Sequence, residues 1–451
     1  MPRDSEIKST LALGFNGCLA CFLVFIAQAN AQSSATSQPA SRSPVLTLES
    51  AVHFALENNP ALAAQRQQHG IAAAKVVIAE TYPFNPVLEN RIQGANGPPL
   101  AGVTNNVPVE HILLWEVEVR HQRRFRRQEA SAALSRTDWE IAFQEQTLAV
   151  QVIRSYAALL YRQEKSRLAD ETLRFNEHLV EDVRRLVNAG KLRNADLIVA
   201  QTELTDTLDQ QSSSRESLAA ARQEFFRVLG IVDGEFEIDG LLDSEPPNWD
   251  RNMLSDLAVA RRADLQAKRL AVSEASANLG LAIANRRGNP TVGPAFGYDP
   301  SKIMTIGIQV NFPIPIPNRH RGEILQSEAE QAQAVLLLRQ AEINVRQDIA
   351  SALARLDTAQ RRADQFRAKT LPDLRRAAED MEKLFQAGEP GLDLLRVIDV
   401  RRKLLKARDN YLDALNAVRQ AQADLLAATG EPVLAMCPPA VQPATSPQKP
   451  H

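Results

Sequence analysis

The residues that could do chemistry in this chain are few and poorly grouped. Its seven histidines are scattered, and the sequence holds no HExxH, no GxSxG, no P-loop and no GxGxxG at a strand–helix junction. Cys18 and Cys21 fall in an apolar leader, which leaves Cys437 alone. One thiol builds neither a disulfide framework nor a cysteine metal site. His320 stands among arginines and reads as a turn residue rather than a metal ligand. No catalytic, cofactor-binding or metal-binding residue is expected. What remains is charge at marked places. Asp196 and Asp393 each follow an Ala-Gly pair, where a helix restarts; a carboxylate there favours the helix dipole and reads first as a cap. Arg120, Arg123, Arg124, Arg126 and Arg127 crowd one short stretch. They suit anionic lipid headgroups or a basic collar, and equally a solvated helix start.

These charges must be positioned by unusually long elements. Positions 126–188 contain neither proline nor glycine, which predicts a helix of about 95 Å at ~1.5 Å per residue. A counterpart runs from about 322 to 386, where Pro372 should kink it or restart it. Return helices are expected near 194–229 and 392–428. Helices this long bury nothing alone and need partners along their length. Shorter helices are expected at 61–80 and 264–285. After each comes a strand pair. Met304, Ile306, Ile308, Val310 and Phe312 alternate with Ile303, Thr305, Gly307, Gln309 and Asn311, close to a strict half-buried strand pattern. Val109, Leu113, Trp115, Val117 and Val119 form a rougher stripe against Glu110, Glu116, Glu118 and Arg120, blurred by His111, Ile112 and Leu114. Weaker strands are expected at 87–93 and 292–298. A soluble sandwich would need more strands than these.

The same pattern occurs twice, at an offset near 200. Asn58-Asn59-Pro60-Ala61-Leu62 is answered by Arg261-Arg262-Ala263-Asp264-Leu265, and Asn85-Pro86 by Asn289-Pro290. Likewise Leu186-Val187-Asn188-Ala189-Gly190 is answered by Leu384-Phe385-Gln386-Ala387-Gly388, and Gly230 by Gly430. Each match is weak; their common order is strong evidence of duplication. The expected organisation is a signal peptide (1–31), a linker (32–44), a first repeat (45–232), a linker (233–251), a second repeat (252–432) and a disordered tail (433–451). The signal rests on the apolar stretch 11–26 and the Ala29-Asn30-Ala31 cleavage pattern, with a short membrane anchor as the competing reading. Net charge is −2, so no nucleic-acid partner is expected. Past the leader no apolar run is long enough for a membrane helix.

Duplicated helical hairpins, each with two strands, resemble the TolC family of outer-membrane efflux proteins. The run Ile308-Gln309-Val310-Asn311-Phe312-Pro313-Ile314-Pro315-Ile316-Pro317-Asn318-Arg319-His320-Arg321-Gly322 is similar to the strand-to-helix junction of its cobalt-zinc-cadmium-resistance branch. Leu46-Thr47-Leu48-Glu49-Ser50-Ala51-Val52 resembles the start of its first repeat. The resemblance covers roughly 45–430. It implies a mainly α fold with a small β part. Three chains would give four strands each to a 12-stranded transmembrane barrel, continued by an α-helical barrel in the periplasm. Leu113, Trp115, Val117, Ile306, Ile308 and Val310 would face lipid, while Gln309, Asn311, Glu116 and Glu118 would face water. Trp115 would join an interfacial aromatic belt, with a packed core Trp as the alternative. Asp393 would sit at a periplasmic gate; Arg396 replaces a second acid of the family pattern, and Asp399 lies one turn on. Ala189, Gly190, Asp196, Leu197, Ala387 and Gly388 would meet a periplasmic adaptor, small residues giving close approach and leucine exposed apolar area.

The implied partners are a homotrimer, that adaptor, an inner-membrane RND-type or ABC pump and outer-membrane lipid. The function would be passive conduction of metal ions or small toxic compounds. One departure stands out: the first strand-to-helix junction, His121-Gln122-Arg123-Arg124, lacks the usual glycines, so a continuous bend into the helix is expected there. The competing readings are an exported coiled-coil scaffold or adhesin without a pore, which leaves the paired amphipathic strands unexplained, and an exported helical enzyme, which lacks a site.

Overall fold

The computed structural model describes residues 45–94, 107–243, 251–298, 303–316, 318–386 and 394–430. The expected leader, first linker and tail lie outside these, as do Ala387, Gly388 and Asp393. The first repeat runs α1 (Leu48–Asn58), α2 (Pro60–Glu80), β2 (Val87–Ile92), β3 (Val109–Glu116), α3 (Gln122–Asn188) and α4 (Asn194–Leu229). The second runs α5 (Arg251–Arg261), α6 (Ala263–Asn285), β5 (Thr291–Tyr298), β6 (Met304–Asn311), α7 (Arg321–Gln365), α8 (Leu371–Gln386) and α9 (Leu394–Thr429). The helices and strands expected from the sequence are present, close to their expected bounds. Two features were not expected: α1 and α5, and a short parallel pair between β1 (Val45–Leu46) and β4 (Glu237–Ile238).

Pro372 acts differently from a simple kink. Between α7 and α8 the chain widens into a π turn, Phe366–Thr370, where the Leu371 N–H reaches back to the Phe366 carbonyl. A proline has no N–H and its ring crowds the carbonyl four residues earlier, so a wider turn just before it relieves both problems. The first strand-to-helix junction also departs from expectation. It is not a continuous bend: His121 takes a left-handed conformation (φ 62°) immediately before α3, and His320 does the same (φ 50°) before α7. The bend that glycine would permit is made by a histidine in both repeats.

The main core lies where the long helices of both repeats cross, around Val152, Leu159, Phe225, Leu265, Val345 and Ile349. α3 packs against α2, α4, α6 and α9. A second, smaller cluster of Val180, Val183, Ala200 and Ile398 holds the far ends of the helices together.

Candidate membrane-barrel segment and helical tips

The strands form one antiparallel sheet in the order β2-β3-β5-β6. Its register determines the two faces. Val292 lies beside Val310 and Phe296 beside Ile306, while Trp115 lies beside Val292 and Leu88 beside Leu113. One face therefore carries Leu88, Ile92, Leu113, Trp115, Phe296 and the stripe Met304, Ile306, Ile308 and Val310, all exposed, with Ile308 at 77%. Val117, just beyond β3, is half-buried and donates its N–H to the Pro290 carbonyl at 2.9 Å. Within this apolar face His111 and Asn90 pair with each other, Nδ1 to Oδ1 at 2.6 Å. The opposite face carries Thr305, Gly307, Gln309 and Asn311 together with Ile112 and Leu114. Ile112 is only 3% exposed. The blur in the β3 pattern thus comes from apolar residues buried on the second face. Gly293 is required by close approach: a Cβ there would fall 1.5 Å from the Leu113 carbonyl oxygen of the neighbouring strand.

All four strand–helix connections leave the sheet at one end, and the residues there are tightly tied. The Tyr82 hydroxyl donates to the Glu116 carbonyl (2.6 Å) and accepts from the Glu118 N–H (3.1 Å). Its ring meets Phe84 and Trp115 edge-on at 6.1 and 6.4 Å, so half-exposed Trp115 belongs to an aromatic cluster at this boundary. Gln122, buried, donates to Asn289 (2.5 Å), which donates to Glu116 (3.0 Å) and joins the two repeats. Glu118 corrects the sequence reading: it does not face water, but is buried in an ion pair with Arg126.

At the other extreme, α3 and α4 are joined by a tight turn. Gly190 is left-handed (φ 71°), and the Lys191 N–H closes on the Leu186 carbonyl at 2.9 Å. Ala189 and Gly190 are exposed. Asp196 accepts the Arg193 N–H at 2.9 Å, the expected cap. Leu197 is not exposed as expected; it packs on the small tip cluster, and the exposed apolar residues are its neighbours Ile198 and Val199. On α9, Asp399 pairs with Lys403 at 2.8 Å, and Arg396 is exposed.

The sequence reading missed the polar ties between α9 and the first repeat. Arg402 pairs with Glu203 on α4, Arg408 with Glu171 on α3 at 3.0 Å, and Arg401 stacks on Phe175 at 4.2 Å. Further along, Lys165 on α3 sits between Asp409 (2.9 Å) and Asp413 (2.8 Å) on α9, and Tyr161 donates to Asp413 at 2.5 Å. Burial opposes the Lys165 charge, but these partners outweigh it and hold its pKa above the usual range. Burial would raise the Asp413 pKa too; the Lys165 and Tyr161 hydrogen bonds hold it below normal. Such pairs are scattered single letters in sequence and gain meaning only once α3 and α9 are side by side.

Residues 254–431 match the family described as outer membrane efflux protein. The cobalt-zinc-cadmium resistance protein CzcC of Cupriavidus metallidurans is 25% identical over 390 residues, 83% of this chain and 88% of that protein. The fold is similar to that of CusC, a channel-forming protein solved by crystallography, with a TM-score of 0.70 and 19% identity over 88% of this chain and 95% of that one. It is similar also to the open state of the MtrE outer membrane channel of Neisseria gonorrhoeae, with a TM-score of 0.67 and 19% identity over 88% and 94% of the two chains.

Proposed function

We propose that the chain is an outer membrane efflux protein and that three copies of it assemble into one gated duct. The observation that carries this is the sheet. Its outer strands β2 and β6 each have one unpaired edge among the described residues, and one face is apolar and exposed. Strands survive in lipid only when every edge is closed. Three such sheets close into twelve strands, wide enough to leave a lumen. Ile71, Val77 and Ile78 on α2 and Leu325, Leu336 and Ile343 on α7 are exposed apolar residues that adjoining copies would cover.

In this reading residues 1–31 are an export signal, 45–232 and 252–432 are two repeats joined by 233–251, and 32–44 and 433–451 are a linker and a tail. Leu113, Trp115, Val117, Ile306, Ile308 and Val310 face lipid. The α3–α4 and α8–α9 turns reach toward the inner membrane. Ala189, Gly190, Asp196, Ala387 and Gly388 meet the adaptor there, and Asp393, Arg396 and Asp399 line the gate. The channel conducts passively and performs no catalysis. Its energy comes from an inner-membrane pump of the RND or ABC type. The name of the Cupriavidus relative supports divalent metal ions such as cobalt, zinc and cadmium as cargo, with small toxic compounds as the wider class.

Planar-bilayer conductance of the purified protein, with oligomer mass measured alongside, tests this. A trimer whose low resting conductance rises on Asp393→Ala supports the gated duct. A soluble, non-conducting protein that needs no detergent overturns it and leaves the scaffold reading.

A further inference from the structure

We propose that the strand-to-helix end of the sheet, above all its second-repeat part, binds anionic phospholipid headgroups of the periplasm-facing leaflet. This rests on the barrel reading. Every carboxylate around the four connections is already engaged: Glu80 with Arg127 at 3.1 Å, Glu116 with Asn289, Glu118 with Arg126 and Glu323 with His320 at 3.2 Å. Several arginines are engaged as well; Arg120 donates to the Arg287 carbonyl at 2.5 Å and Arg123 to the Glu80 carbonyl at 3.1 Å. Arg124, Arg286, Arg287, Arg319 and Arg321 are exposed, and among the described residues their side chains make no ion pair or hydrogen bond. The local excess of positive charge is therefore uncompensated, and it concentrates on the 286–289 and 318–321 segments.

These segments border apolar surface that continues the exposed face of the sheet. Phe312, Ile314 and Ile316 are 70%, 74% and 71% exposed, alternating with Pro313 and Pro315. A Cβ at Gly288 would meet the Pro313 ring at 2.8 Å, so the proline-spaced run lies against the turn that carries Arg286 and Arg287. Apolar side chains beside free guanidinium groups, at the rim of an apolar band, match the boundary between acyl chains and headgroup phosphates. Arginine's fork is suited to phosphate oxygens.

The experiment titrates the full-length detergent-solubilised protein with phosphatidylglycerol or phosphatidylcholine and reads retained lipid and thermal stability at low and high salt. The expected result is retention of phosphatidylglycerol over phosphatidylcholine, weakening with salt. In the combined R286Q/R287Q/R319Q/R321Q variant that preference falls by about tenfold or more, while the control R222Q/R339Q keeps it. The combined F312S/I314S/I316S variant weakens retention of both lipids alike. A wild-type protein without anionic preference, or a quadruple variant that retains it, overturns the proposal. Oligomer mass separates the two failures: a proper trimer indifferent to lipid charge sinks only this inference, whereas a detergent-independent monomer sinks the barrel itself.

Discussion

The two repeats close the same joint with different chemistry. In the first, Asn59 caps α2, accepting from the Ala61 and Leu62 N–H groups at 2.9 and 3.1 Å, and its amide donates to the Val228 carbonyl at 2.9 Å near the end of α4. In the second, the equivalent residue is Arg262. It donates to the Ala428 carbonyl at 3.3 Å near the end of α9, and it needs Asp264 (2.7 Å) and Asp348 (3.3 Å) to balance its charge. Both joints are completed by a left-handed glycine, Gly230 (φ 82°) or Gly430 (φ 71°). A neutral side chain does two jobs at once; a charged one does the second only with help. Burial works against the Arg262 charge, and Asp264 foremost among its partners reverses that, holding its pKa above normal. The lesson is that duplication preserves which backbone groups must be satisfied and leaves open which side chain satisfies them.

That comparison can be broken most sharply at the charged joint. Arg262→Ala removes the partner of two carboxylates and a carbonyl, and should lower unfolding free energy by about 3 kcal/mol, read as a fall in the melting temperature of the detergent-solubilised protein. The glycines come next. Alanine at Gly230 meets Pro60 at 2.8 Å and Asn59 backbone at 3.0 Å; at Gly430 it meets the Arg262 side chain at 2.7 Å and the Arg262 backbone at 3.1 Å; at Gly190 it meets nothing within 4 Å. The expected losses are about 2 kcal/mol at Gly230 and at Gly430, and about 1 kcal/mol at Gly190, where only the left-handed backbone is penalised. Equal losses at the three sites would mean that the close approach does not matter. Asn59→Ala should lose about 1.5 kcal/mol, for a helix cap and one carbonyl, and so less than its charged counterpart.

The smallest effect lies where the repeats meet. Asp413 has its pKa held down in the folded state, so its contribution is present above its ordinary carboxylate value and is lost as pH falls through the lower folded value. Asp413→Asn should flatten the acid side of the stability–pH profile, in a melting series from neutral pH down to about pH 3, and leave the neutral-to-alkaline side to Lys165. A profile unchanged by the substitution would show the α3–α9 tie to be idle.

The long elements were legible in the sequence because proline, glycine and alternation act locally: the span free of both residues became α3, and the β6 stripe kept its faces. The joint at Arg262 and the ties Lys165–Asp413 and Arg402–Glu203 were not legible, because the partners lie far apart in the chain and their types are those of any solvated helix. His121 and His320 show a middle case. The bend was foreseeable, but the residue that makes it was not, since histidine enters the left-handed region only when its surroundings require it. The tip residue Leu197 erred by one position, because which of three adjacent apolar residues points inward depends on the partner helix.

The π turn before Pro372 also sets a phase. Along α7 the inward stripe advances by alternating fours and threes, through Val345, Ile349, Ala352, Leu356, Ala359, Ala363 and Phe366; across the turn it advances by five to Leu371, then resumes through Leu374 and Ala378. The turn swallows one residue, and the stripe emerges on the same side. Deleting a residue from Phe366–Thr370 would keep the stripe in step but drive the proline into an ordinary helical turn, while replacing Pro372 alone would leave the swallowed residue in place. Proline and insertion form a matched pair, like a leap day and the calendar it corrects, and either edited alone leaves the other without its purpose.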